Sequence, residues 1–122
     1  MNDLQSAIEA QGLGRRFGRY WALAHVELAV PQGEALLLAG PNGSGKTTLL
    51  RLIAGLYRPT RGGLRVFGLD PCKDRPSCRR QLSMVSHDSY LYPRLTALET
   101  LRIWARLLDR PSANGDLLPL LE

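Results

Sequence analysis

The residues best suited to chemistry lie in one loop that fits the pattern G-x-x-x-x-G-K-[ST], with every required position filled. Glycines without a Cβ let the backbone pass close to a polyphosphate, and successive N–H groups then form an anion-binding nest. Lys46 supplies a mobile charge for the β- and γ-phosphates, and Thr47 places a hydroxyl where Mg²⁺ would sit. The alternative is a glycine-rich turn before an ordinary helix. We predict a nucleotide site formed by Gly40, Pro41, Asn42, Gly43, Ser44, Gly45, Lys46, Thr47 and Thr48.

The segments on either side of this loop have the character that a phosphate-binding loop requires. Residues 34–39 are mostly apolar and predict a short buried strand that leads into the loop. Residues 48–54 have helical spacing, and Gly55 follows where a glycine would end that helix. We therefore expect the order strand, loop and helix, with the helix N-terminus adding partial positive charge at the phosphates.

Length and composition limit the class of protein. The 122 residues, 44% of them hydrophobic, suit one small domain or part of a larger one. No apolar run is long enough to span a membrane and no signal-peptide pattern is present, so we expect a cytoplasmic location. The net charge of +5 could serve nucleic acid or an anionic membrane surface, but the arginines are scattered, which favours a solvated surface. Two cysteines are too few for a disulfide framework and are expected to be reduced.

The remaining segments read as alternating short strands and helices. Short strands are expected at residues 8–13 and 64–69, a half-buried antiparallel strand at residues 21–30, and a buried strand at residues 82–86. Thr96, with Glu99 three residues later, predicts a capping box that starts a helix ending near Leu108. The fold class is therefore α/β.

Several of these segments together resemble the N-terminal half of an ATP-binding-cassette (ABC) ATPase. The loop matches that family's Walker A wording, G-P-N-G-S-G-K-T-T, and residues 55–68 resemble its G-L-x-x-P-T-x-G stretch with a following glycine. Residues 91–101 resemble L-Y-P-x-L-T-x-x-E-N-L, the segment that opens the family's helical subdomain. The resemblance implies a P-loop NTPase fold of ABC type, with an antiparallel β subdomain, a parallel sheet core and a truncation at the start of the helical subdomain.

The resemblance also implies roles for residues outside the loop. Phe17 stands before a glycine where the family stacks an aromatic ring on adenine, and Tyr20 is the alternative. His87 occupies the place of the family's Q-loop glutamine, which implies a catalytic role and an approach to Mg²⁺, although an isolated histidine is more often an ordinary surface residue. Residues 85–87, followed by residues 95–99, resemble the haem-exporter ATP-binding subunit of cytochrome c maturation, in which a histidine commonly occupies this place.

The family's signature motif, its Walker B strand and its switch histidine have no counterpart in the sequence. Hydrolysis needs a carboxylate to polarise water and a second anchor for Mg²⁺, so we expect residues 1–122 to be a partial nucleotide-binding domain that binds nucleotide without hydrolysing it alone. We interpret the chain as a fragment.

The function implied by the resemblance is that of an ATP-binding subunit on the inner face of the cell membrane. Its partners would be ATP, Mg²⁺, a membrane-spanning transporter subunit and a second ATP-binding subunit, with no nucleic acid. The transport implied is haem export for cytochrome c biogenesis. A drug or lipid exporter, a soluble non-transport ABC protein and a non-functional remnant remain as alternatives.

Overall fold

The computed structural model describes residues 5–87 and 91–109. The chain divides into two compact units, one extending to Met84 and the other beginning at Val85. The first unit contains β1 (Ser6–Phe17), β2 (Tyr20–Pro31), α1 (Lys46–Ile53), β3 (Arg61–Val66) and α2 (Arg75–Gln81), and the second contains α3 (Ala97–Leu107). No helix in these described residues is long and apolar enough to cross a membrane.

Strands β1 and β2 form an antiparallel hairpin whose turn lies beside the predicted site. Phe17 pairs with Tyr20, so the turn contains only Gly18 and Arg19. Gly18 has a φ of 57°, the left-handed conformation that tight hairpin turns need at their first position. The hairpin therefore places two aromatic residues at its tip.

Strand β3 pairs antiparallel with the other edge of β1, which gives the sheet order β2-β1-β3. Helix α1 packs on this sheet through apolar residues that recur at helical spacing. One cluster of buried side chains results, made of Ala10, Leu13, Leu23, Leu49, Leu52, Ile53, Leu64 and Val66. The core therefore fixes the start of α1 against the sheet that carries the hairpin tip.

The antiparallel sheet agrees with the sequence-based expectation, whereas the two segments expected to build a parallel core are not strands. Residues 34–39 and 82–86 have no strand assignment. Leu37 is 87% exposed and Val85 is 96% exposed, so neither segment is buried as expected. A strand needs a neighbour for its backbone hydrogen bonds, and no segment within the described ranges pairs with either one.

The helices agree closely with expectation. Helix α1 begins at Lys46, two residues earlier than predicted, and Gly55 after it has a φ of 71°. Thr96 and Glu99 form both hydrogen bonds of the predicted capping box at the start of α3. The helix ends one residue before the predicted Leu108.

Both cysteines are free. Burial raises the pKa of the Cys78 thiol, and the nearby carboxylates of Asp74 and Asp70 raise it further. A raised pKa keeps this thiol protonated at neutral pH, where it is a poor nucleophile. Cys78 therefore acts as a small core residue.

Candidate functional site

The start of α1 presents backbone donors next to the glycine loop. Gly45 is the N-cap residue, with a φ of 96°, and its carbonyl accepts the first intrahelical hydrogen bond from Leu49 N at 2.9 Å. The N–H groups at the start of a helix have no intrahelical acceptor, and they carry the positive end of the helix dipole. The first turn of α1 has no acidic residue to compete for them. The arrangement suits an anion.

The Lys46 ammonium group is held by the loop that precedes it. Its Nζ donates to the carbonyl oxygens of Gly40 and Pro41, the latter at 2.8 Å, and to Ser44 Oγ at 3.3 Å. Ser44 N also donates to Pro41 O at 3.2 Å, which closes a turn inside the loop. The charge is thereby kept at the centre of the loop and not extended into solvent.

A cavity of about 430 Å³ joins the loop to the tip of the β1–β2 hairpin. Its lining combines hairpin residues with loop and helix residues, namely Phe17, Tyr20, Ala22, Asn42, Gly43, Gly45, Lys46, Thr47 and Thr48. The predicted residues that do not line it, Gly40, Pro41 and Ser44, are those that accept hydrogen bonds from Lys46. Each of the predicted loop residues therefore either lines the cavity or accepts a hydrogen bond from Lys46.

The two candidate aromatic residues both reach this cavity. Phe17 is 39% exposed and Tyr20 is 61% exposed. The Tyr20 hydroxyl donates to Gly43 O at 3.4 Å, which links the hairpin tip to the phosphate-binding loop. The Phe17 ring contacts the Tyr57 ring edge to face, and its exposed carbon surface is apolar and suited to stacking.

Three residues at this end of the fold were missed in the sequence. Ala22 lines the cavity from β2, and Arg15 and Tyr57 pack against Phe17. Arg15 lies two positions before Phe17 and therefore on the same face of the strand, a spacing from which this contact could have been predicted. Tyr57 comes from the connection between α1 and β3, and no local pattern relates it to the hairpin.

The two residues predicted to bind Mg²⁺, Thr47 and His87, belong to different compact units of the chain. Thr47 lines the cavity beside Lys46, and its hydroxyl is a suitable oxygen ligand for Mg²⁺. His87 is an exposed residue of the second unit. Within the described ranges, no group of three or more histidine, cysteine, aspartate or glutamate residues could hold a metal ion. Thr47 is therefore suited to serve as one oxygen ligand of Mg²⁺ alongside phosphate oxygens.

The glycine loop, the helix N-terminus and the adjoining aromatic cavity define a protein of the phosphate-binding-loop class. The sequence matches the family model described as ABC transporter over residues 23–118. The chain therefore belongs to the ABC transporter family.

Curated relatives and a solved structure agree with this membership. The Fe(3+) ions import ATP-binding protein FbpC of Photorhabdus laumondii is 36% identical over 110 residues, covering 90% of this chain and 31% of the relative. The glutamine transport ATP-binding protein GlnQ of Escherichia coli is 43% identical over 95 residues, covering 75% of this chain and 40% of the relative. A solved structure described as the ATP binding subunit of an ABC transporter superposes with a TM-score of 0.76 at 31% identity. The match covers 84% of this chain and 43% of the solved chain. These similarities confirm the expected ABC-type P-loop fold.

The chain spans less than half the length of these relatives. A third relative, the sulfate/thiosulfate import ATP-binding protein CysA 2 of Chromobacterium violaceum, is 39% identical over 101 residues. FbpC and CysA 2 are import proteins by name, and they differ in the substrate named. Similarity at this level therefore identifies the family and leaves the transported substrate open.

Proposed function

We propose that this chain binds ATP with Mg²⁺ as the nucleotide-binding part of an ABC transporter subunit. The observation that carries the proposal is the cavity shared by the hairpin aromatics and the start of α1. A nucleotide has an aromatic base at one end and a polyphosphate at the other. The cavity offers an aromatic surface from Phe17 and an anion-binding helix N-terminus in one space.

The chain's own groups divide the work of binding. The backbone N–H groups around Gly43 and Gly45 and at the start of α1 donate to phosphate oxygens, and Lys46 exchanges its loop carbonyls for the β- and γ-phosphates. Phe17 stacks on adenine, with Tyr20 as the alternative ring. Thr47 would supply its hydroxyl oxygen to hold Mg²⁺, and the ion would neutralise part of the phosphate charge.

Removal of the Lys46 ammonium group tests the phosphate site. Lys46→Ala should weaken ATP binding by about 2–5 kcal/mol, because it removes one partner of a desolvated charge pair. Isothermal titration of the purified chain with ATP and Mg²⁺ measures this change.

The sequence offers a matched control for this experiment, because Lys73 is its only other lysine. Lys73 is exposed and does not line the cavity, so Lys73→Ala removes the same charge from the net total without touching the site. Equal affinities of the Lys46→Ala variant and the parent chain would contradict the assignment of the site.

Transport is proposed for the assembled protein of which this chain is part. ATP binding and hydrolysis would be coupled to movement of a substrate by a membrane-spanning subunit, on the inner face of the cell membrane, with a second ATP-binding subunit as dimer partner. His87 would take the place beside the attacking water and Mg²⁺ that glutamine has elsewhere in the family.

The direction and substrate of transport form a separate, finer proposal. His87 and its flanking sequence support haem export for cytochrome c biogenesis, whereas the names of FbpC and CysA 2 support import. Deletion of the encoding gene distinguishes the two. Loss of covalently bound haem from c-type cytochromes would support haem export. Normal cytochromes together with lost uptake of an ion or a nutrient would support an importer.

A further inference from the structure

Two side chains that are not among the residues lining the cavity, Arg15 and Tyr57, pack against Phe17. The Arg15 guanidinium carbon lies over the Phe17 ring, 4.6 Å from its centroid. The Tyr57 ring meets Phe17 edge to face, with centroids 5.4 Å apart and an interplanar angle of 72°. Arg15 also lies 5.4 Å from the Tyr57 centroid, so the three side chains form one cluster, called here the Phe17 support.

The Phe17 support is anchored to the backbone and to α1. Arg15 Nη1 donates to the carbonyl oxygen of Arg58 at 2.8 Å. Arg51, on the helix that begins at the phosphate-binding loop, donates to the Tyr57 hydroxyl at 3.0 Å. The ring that faces the cavity is therefore connected through Tyr57 and Arg51 to the same helix that carries the anion-binding N-terminus.

The cluster restricts how Phe17 can meet a base. The residues that line the cavity in the described part of the chain include Phe17 but neither Arg15 nor Tyr57. Arg15 occupies one face of the Phe17 ring, so a stacked base has to use the opposite face. A partly exposed ring at a hairpin tip without these neighbours could turn to other rotamers, and each productive encounter would then include the entropic cost of ordering it.

We propose that Arg15 and Tyr57 are positioning residues that hold the Phe17 ring in the orientation that accepts the nucleotide base. The inference rests on the proposed function, in which Phe17 stacks on adenine. Neither residue touches the nucleotide. Their effect is confined to the base end of the ligand, because the phosphate end is bound by groups of the loop and α1.

The test compares ATP with inorganic tripolyphosphate, which has the phosphates and no base, in titrations with Mg²⁺. Arg15→Gln and Tyr57→Leu should each weaken ATP binding by about threefold to tenfold, as expected for losing one aromatic or cation–π contact. Both should leave the affinity for tripolyphosphate within about twofold of the parent, because the helix N-terminus is unchanged. Phe17→Ala removes the stacking ring itself and should therefore give the largest effect. It should weaken ATP binding by about tenfold to a hundredfold without weakening tripolyphosphate binding.

Two further variants separate positioning from general structure. Tyr57→Phe keeps the ring edge against Phe17 and should recover most of the ATP affinity lost in Tyr57→Leu. Arg19→Gln removes an exposed arginine from the hairpin turn and should bind both ligands like the parent. Thermal unfolding midpoints identify any variant that fails to fold.

The outcomes are distinguishable. Equal losses for ATP and tripolyphosphate in folded Arg15→Gln and Tyr57→Leu would mean a general structural role and would overturn the proposal. Unchanged ATP affinity in both variants would also overturn it. A parent chain that binds neither ligand would refute the proposed function itself. A parent that binds both ligands equally well, and is unaffected by Phe17→Ala, would refute the base contact while leaving the phosphate site intact.

Discussion

Single residues set the shape of the phosphate-binding loop through backbone conformations that suit glycine. Gly45 has a φ of 96°, and a Cβ placed there would lie 2.6 Å from Ala22 O and 2.7 Å from Leu23 Cδ2. Gly43 has a φ of 84°, but a Cβ there would meet no atom within 4 Å. Both glycines are needed for conformation, and Gly45 is also needed for close packing of α1 on β2.

This difference gives a prediction about stability. Gly43→Ala should lower the free energy of unfolding by about 1–2 kcal/mol, the cost of a left-handed non-glycine residue. Gly45→Ala should lower it by about 1–3 kcal/mol more, because backbone and core atoms must also shift. Urea unfolding of the two variants measures the gap. Equal losses would show that the contact with Ala22 and Leu23 adds nothing.

Among the elements, α3 has the most explicit local signal for its start. Glu99 N donates to Thr96 Oγ1 at 3.2 Å, and Thr96 N and its hydroxyl donate to Glu99 Oε2 at 2.8 and 2.9 Å. The hydrogen bonds from the Thr96 backbone and side chain lower the pKa of Glu99 below its ordinary value, and Arg102 contributes further. The helix start thus depends on an ionised carboxylate.

The pH dependence of α3 follows from this direction of shift. Because the pKa of Glu99 is lower in the folded chain, its stabilising effect is complete above the ordinary glutamate range and is lost as the pH falls through the folded-state value. The protection factors of the amides at the start of α3, which correct for the intrinsic pH dependence of exchange, should therefore fall on acidification. Glu99→Gln should remove this acid-dependent step, and a step that persists in that variant would assign it to another group.

The threonine of the same capping box gives a test independent of pH. Thr96→Ala should destabilise α3 by about 1 kcal/mol because it removes the acceptor for Glu99 N. Thr96→Ser keeps that hydroxyl and should stay within a few tenths of a kcal/mol of the parent. Hydrogen exchange across α3 in the two variants distinguishes the loss of the cap from a nonspecific effect of substitution.

At the scale of the whole molecule, an exposed apolar segment, residues 34–39, lies directly before the phosphate-binding loop. Leu36 is 51% exposed and Leu37 is 87% exposed. Backbone without strand partners, beside exposed leucine side chains, favours association with other extended chains. We therefore expect this segment to contribute to concentration-dependent association of the chain.

Replacement of the most exposed of these leucines tests this expectation. Leu37→Lys should reduce association measured by sedimentation, and it should change the free energy of unfolding by less than about 0.5 kcal/mol because the side chain is already in solvent. Gln32→Lys adds the same charge at an exposed position without removing an apolar group. If both variants lower association equally, charge repulsion accounts for the effect and the apolar segment does not.

The sequence was informative where structure depends on neighbours along the chain. The loop, the helix after it and the capping box at Thr96 were all predictable, because each depends on residues a few positions apart. The Phe17 support was not, because Tyr57 reaches Phe17 only after α1 has folded back on the sheet. The strands expected at residues 34–39 and 82–86 are not formed for a related reason. Apolar character predicts burial only where a partner segment covers it, and within residues 5–87 and 91–109 no segment pairs with either one.

The central position of β1 has a consequence for the order of folding. Its hairpin with β2 closes through a two-residue turn, a step that takes microseconds in typical hairpins. Strand β3 joins the opposite edge of β1 only after the chain has enclosed residues 32–60, and this closure has the larger entropic cost. The phosphate-binding loop and α1 lie inside that enclosed stretch. We therefore expect the β1–β2 hairpin to form before β3 joins it, so that the phosphate-binding loop and α1 become enclosed only when β3 pairs with β1.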